Sequence, residues 1–360
     1  MDFELSEAQQ VIAASAADVL KGISDGESAW SALASVGLLA LTLPGWLDGD
    51  DLGVLDAAVL LTEVGRAAAL APALATIMLG ALPVARWGSR AQQELLLAGV
   101  GTGETILTAG IREQSEPRPA VPSTVATLSG DDAGTVTGTK VGVPYAAQAR
   151  WLLIPATLAG GAGRTVVVVD PAGPGVTITP TPASGDSPEA TVRLDQASIT
   201  SVLRAGQEPG RTDAACDLYL LATAGAAAQA DGALAGALDL TSGYIAQRHQ
   251  FGKPLATFQA VAQQIADVYI ASRTLHLAAL SANWRLAAGL DATGDVDLAA
   301  FWLAQEGPAA MRTCHHLHGG IGVDVEYPMH RYSSMINDLT RFVGGADACL
   351  SALTGSADVH

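Results

Sequence analysis

The stretch RHQFGKPLATFQAVAQQIAD, from Arg248 to Asp267, contains the end of one predicted helix and the start of another. Gly252 and Pro254 end any helix that precedes them, since both residues disfavour further helical turns. Thr257 is then placed to cap a new helix. Beyond it, apolar and small residues recur at alternating steps of three and four, the spacing of one helix face packed against neighbours. They are Phe258, Val261, Ile265, Val268, Ser272, Leu275, Ala279 and Ala282. The stretch therefore predicts the start of a long helix that packs against others.

The segment upstream, from about Asp217 to Gln247, is rich in alanine and glycine and predicts another helix. Gly232 and Gly236 stand inside it, where a glycine costs roughly 1 kcal/mol relative to alanine. A close helix crossing or an oligomer interface would offset that cost, because small residues let two backbones approach each other. Helical spacing persists downstream, so we expect the chain to end in a helical bundle.

The middle of the chain, between about Thr105 and Gly206, has a different pattern. Short runs of β-branched residues alternate with glycine, proline, serine and aspartate, and no helical segment separates them. The runs are Thr124–Leu128, Thr135–Val143, Trp151–Pro155, Thr165–Val169, Val176–Thr179 and Thr191–Leu194. Short strands at roughly ten-residue spacing predict an antiparallel barrel or sandwich.

The N-terminal part, from Glu4 to about Val100, again has helical spacing. Its uncharged stretch Ala67–Ala85 is predicted to be a buried helical hairpin rather than a membrane span, since it is mostly alanine and contains prolines. The expected fold class is α+β, mainly α. We expect a helical domain over residues 1–105, a β domain over 106–207 and a helical domain over 208–355.

Composition and charge exclude several classes of protein. Of the 360 residues, 49% are hydrophobic and 15% are charged, which excludes a disordered chain. The net charge of −17 opposes binding to nucleic acid or to acidic lipid. The three cysteines form no CxxC pair, and the acidic start lacks the features of a signal peptide. We therefore expect a cytoplasmic protein with no nucleic-acid or membrane partner.

The first candidate site is the turn that follows the alanine-rich helix. Arg248 and Lys253 are cations in an acidic chain, beside the ring of Phe251 and the amides of Gln250 and Gln259. A guanidinium and a ring together suit a phosphate and a flat group such as a purine. The other interpretation is that these cations form a basic helix end that complements the helix dipole. The physical properties of the residues alone favour this second interpretation.

The second candidate site is the run CHHLHGGIG, from Cys314 to Gly322, which holds three of the seven histidines. Adjacent histidines on a helix point about 100° apart, so they cannot all bind one ion, and we expect no metal. The alternative is a glycine turn whose bare backbone lets a ligand approach closely.

A group for acid–base catalysis is missing from the sequence pattern. No Ser/His/Asp arrangement, P-loop or dinucleotide-binding glycine motif is present. Acid–base chemistry needs a carboxylate or a histidine held in a cleft. Asp338 is predicted to be a surface acid or a partner of Arg341, so the residues alone indicate no catalytic group.

The two candidate sites resemble signatures of the acyl-CoA dehydrogenase family. RHQFGKPLATFQ is similar to that family's Arg-x-x-Phe-Gly turn, which leads into a helix starting with Phe-Gln. HLHGGIGVDVEYPMHRY is similar to its Gln-x-x-Gly-Gly-x-Gly turn followed by Glu-Tyr-Pro. The spacing of the motifs and the helix–β–helix order also match, so the resemblance covers nearly the whole chain. It implies an N-terminal helical domain, a middle antiparallel β-barrel, a C-terminal four-helix bundle, and FAD-dependent α,β-dehydrogenation of an acyl-CoA.

The resemblance also implies where the cofactor binds. In the family, the C-terminal domain reaches across a subunit interface to the ADP half of the neighbour's FAD. By position, Arg248 would face the pyrophosphate. The rest of this half-site would be Gln250, Phe251, Gln259, His316, Leu317, His318, Gly319 and Gly320. The family uses no metal.

The sequence departs from the family at the catalytic half of the site. The family's catalytic glutamate falls on Val343, and the position that some members use instead falls at or near Ala222. The resemblance therefore implies no catalytic base in this chain. The family's flavin-cradling loop, Thr-Glu-Pro-x-x-Gly-Ser, is replaced by TAGIREQS at Thr108–Ser115, and its Trp/Phe-Ile-Thr strand is replaced by Val141–Val143.

This combination resembles the base-less short subunit of the α2β2 acyl-CoA dehydrogenases of actinobacterial steroid side-chain degradation. The resemblance implies a sister subunit that carries the catalytic glutamate, one FAD shared by each pair, and a steroid-CoA substrate from cholesterol catabolism. Two alternatives are a self-sufficient dehydrogenase or oxidase with a relocated base, and a structural paralogue without a cofactor. A yellow, active homo-oligomer would indicate the first alternative, and a colourless complex with every candidate partner would indicate the second.

Overall fold

Helices at both ends of the chain flank a β-barrel in the computed structural model of this protein. The structure describes residues 4–23, 25–114, 116–161, 163–204 and 213–357. Ser115, Gly206 and the predicted boundary between residues 207 and 208 lie outside the described residues. The predicted order of elements and the α+β class, mainly α, are confirmed.

The N-terminal helices share one apolar core with the C-terminal helices. They are α1 (Glu7–Leu20), α2 (Gly26–Ser35), α3 (Val54–Arg66), a π-helix (Leu74–Ala81), α4 (Leu82–Trp87) and α5 (Arg90–Leu97), with a 3-10 turn at Gly45–Leu47. Capping boxes start α1 and α5. In each, a serine (Ser6 or Ser89) and the glutamine three residues later satisfy each other's backbone N–H groups.

The stretch Ala67–Ala85 is largely buried, as predicted, but the prediction of a hairpin was wrong. The π-helix Leu74–Ala81 runs directly into α4. Pro83 accounts for the wide turns, because it has no N–H to donate and its ring would clash with a carbonyl of a regular α-helical turn. Gly80 has no room for a side chain, since a Cβ there would lie 2.3 Å from the Cβ of Leu107. No helix in the described part of the chain is long and apolar enough to cross a bilayer.

Seven strands form the barrel and its extensions. They are β1 (Leu107–Ala109), β2 (Val125–Leu128), β3 (Gly134–Pro144), β4 (Trp151–Leu158), β5 (Arg164–Val169), β6 (Val176–Thr181) and β7 (Glu189–Leu203). Strands β4, β2, β3, β7 and β5 pair in that order, and β5 pairs with β4 to close the ring. All six predicted runs fall on strands. β1, of three residues, was missed because it is too short to show a pattern.

The barrel is antiparallel in five of its seven strand pairings, and β4 is the exception. It pairs in parallel with β1 along Trp151–Leu153 and with β2 along Thr157–Leu158. β1 and β2 therefore lie one after the other along the same edge of β4. The segment between β1 and β2 brings the chain back to this edge of β4, so that β2 runs in the same direction as β1. A pattern of simple hairpins does not predict this arrangement.

The C-terminal part is the predicted four-helix bundle with one further helix. Its elements are α6 (Ala214–Gln247), β8 (His249–Gln250), β9 (Lys253–Pro254), a 3-10 turn (Leu255–Thr257), α7 (Gln259–Ala287), α8 (Thr293–His318), a 3-10 turn (Gly319–Val323), α9 (Met329–Phe342) and α10 (Gly345–Ala357). Helices α6 to α9 form the bundle, and α10 packs against α8 and α9.

Helices α3 and α6 cross in close contact, which confirms the prediction for the glycines of α6. A Cβ on Gly232 would lie 1.8 Å from the carbonyl oxygen of Thr62, and one on Gly236 would lie 2.5 Å from a carbonyl of α3. Gly65 contributes from the other helix, since its Cβ would lie 1.9 Å from the carbonyl oxygen of Gln229. No larger residue fits at these positions without moving the helices apart.

The predicted stripe of α7 is buried from Val268 onward, whereas Val261 and Ile265 are half-buried. The prediction that Thr257 caps this helix was wrong. Its hydroxyl donates to the carbonyl of Pro254 at 2.7 Å, because Thr257 lies in the 3-10 turn that precedes α7.

Candidate functional site

A short hairpin follows Arg248, the residue that caps the C-terminal end of α6. Its strands β8 and β9 pair with each other, and Phe251 and Gly252 form the tip. Both tip residues are left-handed, with φ of +54° and +80°, as tight two-residue hairpins require at both central positions. A backbone hydrogen bond of 2.8 Å from Leu255 to the carbonyl of Arg248 closes the base.

The side chains around this hairpin face solvent. Phe251 is 91% exposed, and its ring meets Phe258 edge-on at a centroid distance of 6.2 Å. Arg248 and Gln250 are exposed, and so is Gln259, the first residue of α7. The guanidinium of Arg248 makes no hydrogen bond or ion pair with another described residue. It is therefore free to bind an anion from outside the chain, beside an exposed ring.

The histidine-rich turn lies at the same end of the bundle. The ring of His318 stacks on Tyr244, one turn before Arg248 in α6, with centroids 4.6 Å apart. Its Nδ1–H donates to the carbonyl of Cys314 at 2.8 Å, and Tyr327 contacts the ring from a second direction at 5.2 Å. Burial lowers the pKa of His318, so the ring is held neutral. The fold thus brings the two sequence motifs together.

The turn itself presents open backbone. His316 is exposed, whereas Leu317 and His318 are buried. Gly319 has a φ of +62°, and a Cβ on Gly319 or Gly320 would meet no atom within 4 Å. A ligand can therefore approach the backbone here. The histidines do not converge, and no group of three or more His, Cys, Asp or Glu side chains in the described ranges could hold a metal ion.

A narrow cleft lies between the N-terminal helices, the barrel and α9, where the resemblance places the reacting half of the site. Its lining includes Leu74, Tyr145, Gln229 and Met335, and its volume is about 80 Å³. Sites for drug-sized ligands have volumes of roughly 300–1,000 Å³. The cleft therefore does not fit a flavin ring together with an acyl chain.

A charged cluster lies at the barrel side of this cleft, where Glu189 and Asp338 belong to the lining. Arg341 donates to Glu189 at 2.5 Å and lies 3.2 Å from Asp338, the partner predicted for it. Arg112 lies beside Gly142, where a Cβ would be 2.7 Å from its Nη1. Burial lowers the pKa of Arg112, and the nearby charge of Glu189 opposes that shift. Arg112 thus occupies space beside the strand that the resemblance aligns with the flavin-binding strand.

The segment that replaces the flavin-cradling loop is fixed to the rest of the molecule. Glu113 accepts hydrogen bonds from Lys140 Nζ at 2.7 Å and from the backbone and hydroxyl groups of Ser123 and Thr124. Burial alone would raise the pKa of Glu113, but these donors outweigh it and lower the pKa to about 2. Arg118 forms a buried ion pair of 2.8 Å with Asp297 of α8.

Neither position expected for a catalytic base carries a titratable group. Val343 is 1% exposed at the end of α9, and Ala222 is fully buried inside α6. The backbone that follows Val343 is tightly packed, since a Cβ on Gly344 would lie 2.4 Å from the ring of Pro117. The two carboxylates that do line the cleft, Glu189 and Asp338, both pair with Arg341, at 2.5 and 3.2 Å.

The two sequence motifs predicted the open end of the bundle, but the sequence analysis missed the charged residues near the cleft. A cation at Arg112, inside the stretch aligned with a flavin loop, was the available signal. Its acidic neighbour Glu189 lies in β7, far along the chain, so no local spacing could link the two.

Comparisons with known proteins identify the family of this chain. The model of the acyl-CoA dehydrogenase N-terminal domain matches residues 6–104, and that of the C-terminal domain matches residues 222–354. "Acyl-CoA dehydrogenase FadE28" of Mycobacterium tuberculosis is 45% identical over 353 residues, which cover 98% of each chain. A chain of the ChsE4–ChsE5 complex from Mycobacterium tuberculosis has a TM-score of 0.89 at 29% identity, with all of both chains covered. The solved "Tcur3481-Tcur3483 steroid ACAD G363A variant" has a TM-score of 0.81 at 31% identity and covers 98% of this chain and 95% of that one. The chain therefore belongs to the acyl-CoA dehydrogenase family.

Proposed function

We propose that this chain is the non-catalytic subunit of a heteromeric, FAD-dependent acyl-CoA dehydrogenase. It completes the ADP half of an FAD site, and a sister subunit supplies the ring site and the catalytic base. The observation that carries the proposal is the contrast between the open end of the bundle and the closed cleft of about 80 Å³.

The open end suits the nucleotide half of the cofactor. Arg248 offers a guanidinium without a partner among the described residues, which pairs well with a pyrophosphate. Phe251, Gln250 and Gln259 surround it with an exposed ring and two exposed amides. The turn from His316 to Gly320 adds backbone that a ligand can reach. Because the side chains of Arg248, Phe251 and the two glutamines and the backbone of the glycine turn face outward, they suit a cofactor held mainly by another subunit.

The closed cleft argues against chemistry on this chain. Dehydrogenation at the α and β carbons of a thioester needs a base near the α carbon, whereas Val343 and Ala222 carry none. The flavin supplies the hydride acceptor when it is bound. Glu189 lines the cleft and is paired with Arg341, and Arg112 lies beside Gly142, in the strand where the ring would need space. The proton acceptor must then come from the partner.

Two relatives support the nature of the partner and substrate. The ChsE4–ChsE5 and Tcur3481–Tcur3483 structures are complexes of two different chains by their names, and the second is called a steroid ACAD. We therefore propose an α2β2 enzyme of the cytoplasm that acts on a steroid side-chain CoA thioester in cholesterol catabolism. The chain would be built from domains over residues 1–105, 106–207 and 208–355.

Co-production with a sister acyl-CoA dehydrogenase subunit tests this proposal. Native mass spectrometry and absorbance should give a colourless, inactive chain alone and a yellow, active complex with one FAD per pair. A yellow homo-oligomer that oxidises acyl-CoA unaided would contradict the proposal. A colourless complex with every candidate sister would instead indicate a structural paralogue.

Substitution of Arg248 tests the half-site directly. Arg248→Ala in the mixed complex should weaken FAD binding by roughly ten- to a hundredfold, because a charge-assisted hydrogen bond contributes about 1.5–3 kcal/mol. Flavin retained after dialysis, measured by absorbance, gives the result. Arg193→Ala removes an exposed arginine of β7 and serves as the matched control, with full retention expected. Equal retention in both variants would refute the role of Arg248.

A further inference from the structure

A second cavity, of about 340 Å³, lies between α3, α6 and α7, beside the glycine crossing. It shares no lining residue with the cleft described above. Its volume falls within the range of small-molecule sites, roughly 300–1,000 Å³. Nothing in the proposed FAD function uses it, so its polar lining calls for a separate explanation.

Glu63 is a carboxylate of this lining without an adequate counter-charge. Its side chain is 15% exposed, and it makes no hydrogen bond to another described residue. Its nearest cation is Arg66 Nε at 3.9 Å, and Arg66 is held more closely by Asp239 at 2.8 Å. Burial, and to a lesser degree the neighbouring Asp231, raises the pKa of Glu63. A half-buried carboxylate of this kind needs a hydrogen-bond donor.

Asp231 adds a second carboxylate, held in place by His276. The Nδ1–H of His276 donates to Asp231 Oδ2 at 2.9 Å, and the aspartate is almost fully buried. One oxygen of Asp231 is thus occupied, while the carboxylate group remains part of the cavity lining. Arg273, on the exposed side of α7, also lines the cavity. The lining therefore places the carboxylates in the interior, with two arginines, Arg66 and Arg273, on the solvent side.

Asn283 provides an independent observation. It lines the cavity and is 1% exposed. Both hydrogens of its amide are used, since Nδ2 donates to the carbonyls of Ala224 at 3.1 Å and Ala279 at 2.9 Å. These two bonds fix the orientation of the amide, and Oδ1 is left without a partner. A buried neutral acceptor without a partner thus lies in the wall of the cavity, beside its carboxylates.

We propose that this cavity binds an alkylammonium group. The unmatched groups, Glu63 and Asn283 Oδ1, accept hydrogen bonds, and a primary ammonium is a compact cation with three N–H donors and no acceptor. The apolar part of the lining, including Leu55, Val59 and Leu280, suits the alkyl chain. A metal ion is a poorer fit, because no group of three suitable side chains in the described part of the chain could ligate one.

The ammonium group can come from a free amine or from a lysine of the sister subunit. Calorimetric titration of the isolated chain with 1,4-diaminobutane and with butylammonium should detect binding. Tetramethylammonium has the same charge but no N–H donor and should not bind. Repeating the titration on the assembled complex separates the sources, because a lysine already seated in the cavity would block the added amine, whereas a free-amine site would stay accessible.

Three variants complete the test. Glu63→Gln should weaken amine binding about tenfold or more, since it removes a charge-assisted hydrogen bond. Glu94→Gln, which removes an exposed acid of α5, is the matched control and should bind normally. Leu280→Trp should block binding by filling the cavity without a change of charge. Absence of amine binding to the isolated chain, equal binding of tetramethylammonium, or unchanged affinity in Glu63→Gln and Leu280→Trp would each overturn the proposal.

Discussion

Lys140 is fully buried, and its Nζ lies 2.7 Å from Glu113 Oε1. A buried ion pair is costly to form and still more costly to break, because removing one partner leaves an uncompensated charge. Ser123 and Thr124 satisfy the remaining carboxylate positions, so Glu113 is fully bonded. At the residue scale, this pair fixes the segment that stands in place of a flavin loop.

Lys140→Met should therefore destabilise the protein by about 3–5 kcal/mol, the usual cost of breaking a buried pair. The double variant Lys140→Met, Glu113→Leu should recover most of that loss, because it leaves no charge buried. Urea unfolding of the wild type, both single variants and the double variant gives the coupling energy. A single variant as stable as the wild type would show that the pair is not buried in solution.

The pH dependence of the stability is a second test of the Lys140–Glu113 pair. The pKa of Glu113 lies at about 2, below its ordinary value of 4.5. An acid with a lowered pKa stabilises the fold at pH values above its unfolded pKa, and this stabilisation is lost as the pH falls toward the folded value. The free energy of unfolding of the wild type relative to the double variant should be constant from pH 7 to 5. It should then fall as the pH drops from 4.5 toward 2.

At the scale of elements, the contact of α3 with α6 depends on residues without side chains. Gly232 of α6 lies against the carbonyl of Thr62, whereas Gly243, further along the same helix, has open space around it. The two glycines therefore differ only in what surrounds them.

Gly232→Ala should destabilise the protein by roughly 2–3 kcal/mol or more, because the added methyl group overpacks a backbone contact. Gly243→Ala is the matched control and should stabilise the protein by about 0.5–1 kcal/mol, since alanine is the better helix former. Thermal unfolding of both variants checks the prediction. Similar stabilities for the two would show that the helices are not in contact.

The elements could be predicted where the pattern is local. The steps of three and four in α7 and the β-branched runs of the barrel each indicate one element type, and both were correct. The π-helix at Leu74–Ala81 was not predicted, because proline and glycine there also suit a hairpin. The short strand β1 and its parallel pairing depend on the whole barrel, so no local pattern reveals them.

At the scale of the whole molecule, the proposed loss of the catalytic half involves more than one residue. Val343 stands where the resemblance places the family's glutamate, and the cleft beside α9 has a volume of only about 80 Å³. The sequence indicated the missing base and the missing loop. It could not indicate that Arg112 and Glu189 both lie beside Gly142, because that depends on tertiary contacts alone.

Val343→Glu alone should therefore not create a dehydrogenase. The new carboxylate would restore the family's residue, but the cleft still lacks the volume for a flavin ring and a thioester. Flavin absorbance and acyl-CoA oxidation by the isolated variant should both stay at background. Measurable turnover would show that the cleft opens in solution and that the base was the only missing part.

The exposed apolar side chains of the hairpin tip and of the segment after the glycine turn have a consequence for how the chain is handled in the cell. Phe251 is 91% exposed, Val325 82% and Val323 75%, which is unusual for apolar side chains on a free surface. In the proposed heteromer, a copy made in excess of the sister subunit would present them to chaperones and proteases and would be removed or would aggregate. Balanced synthesis of the two polypeptides, for example from one messenger RNA, would keep these side chains covered from the start.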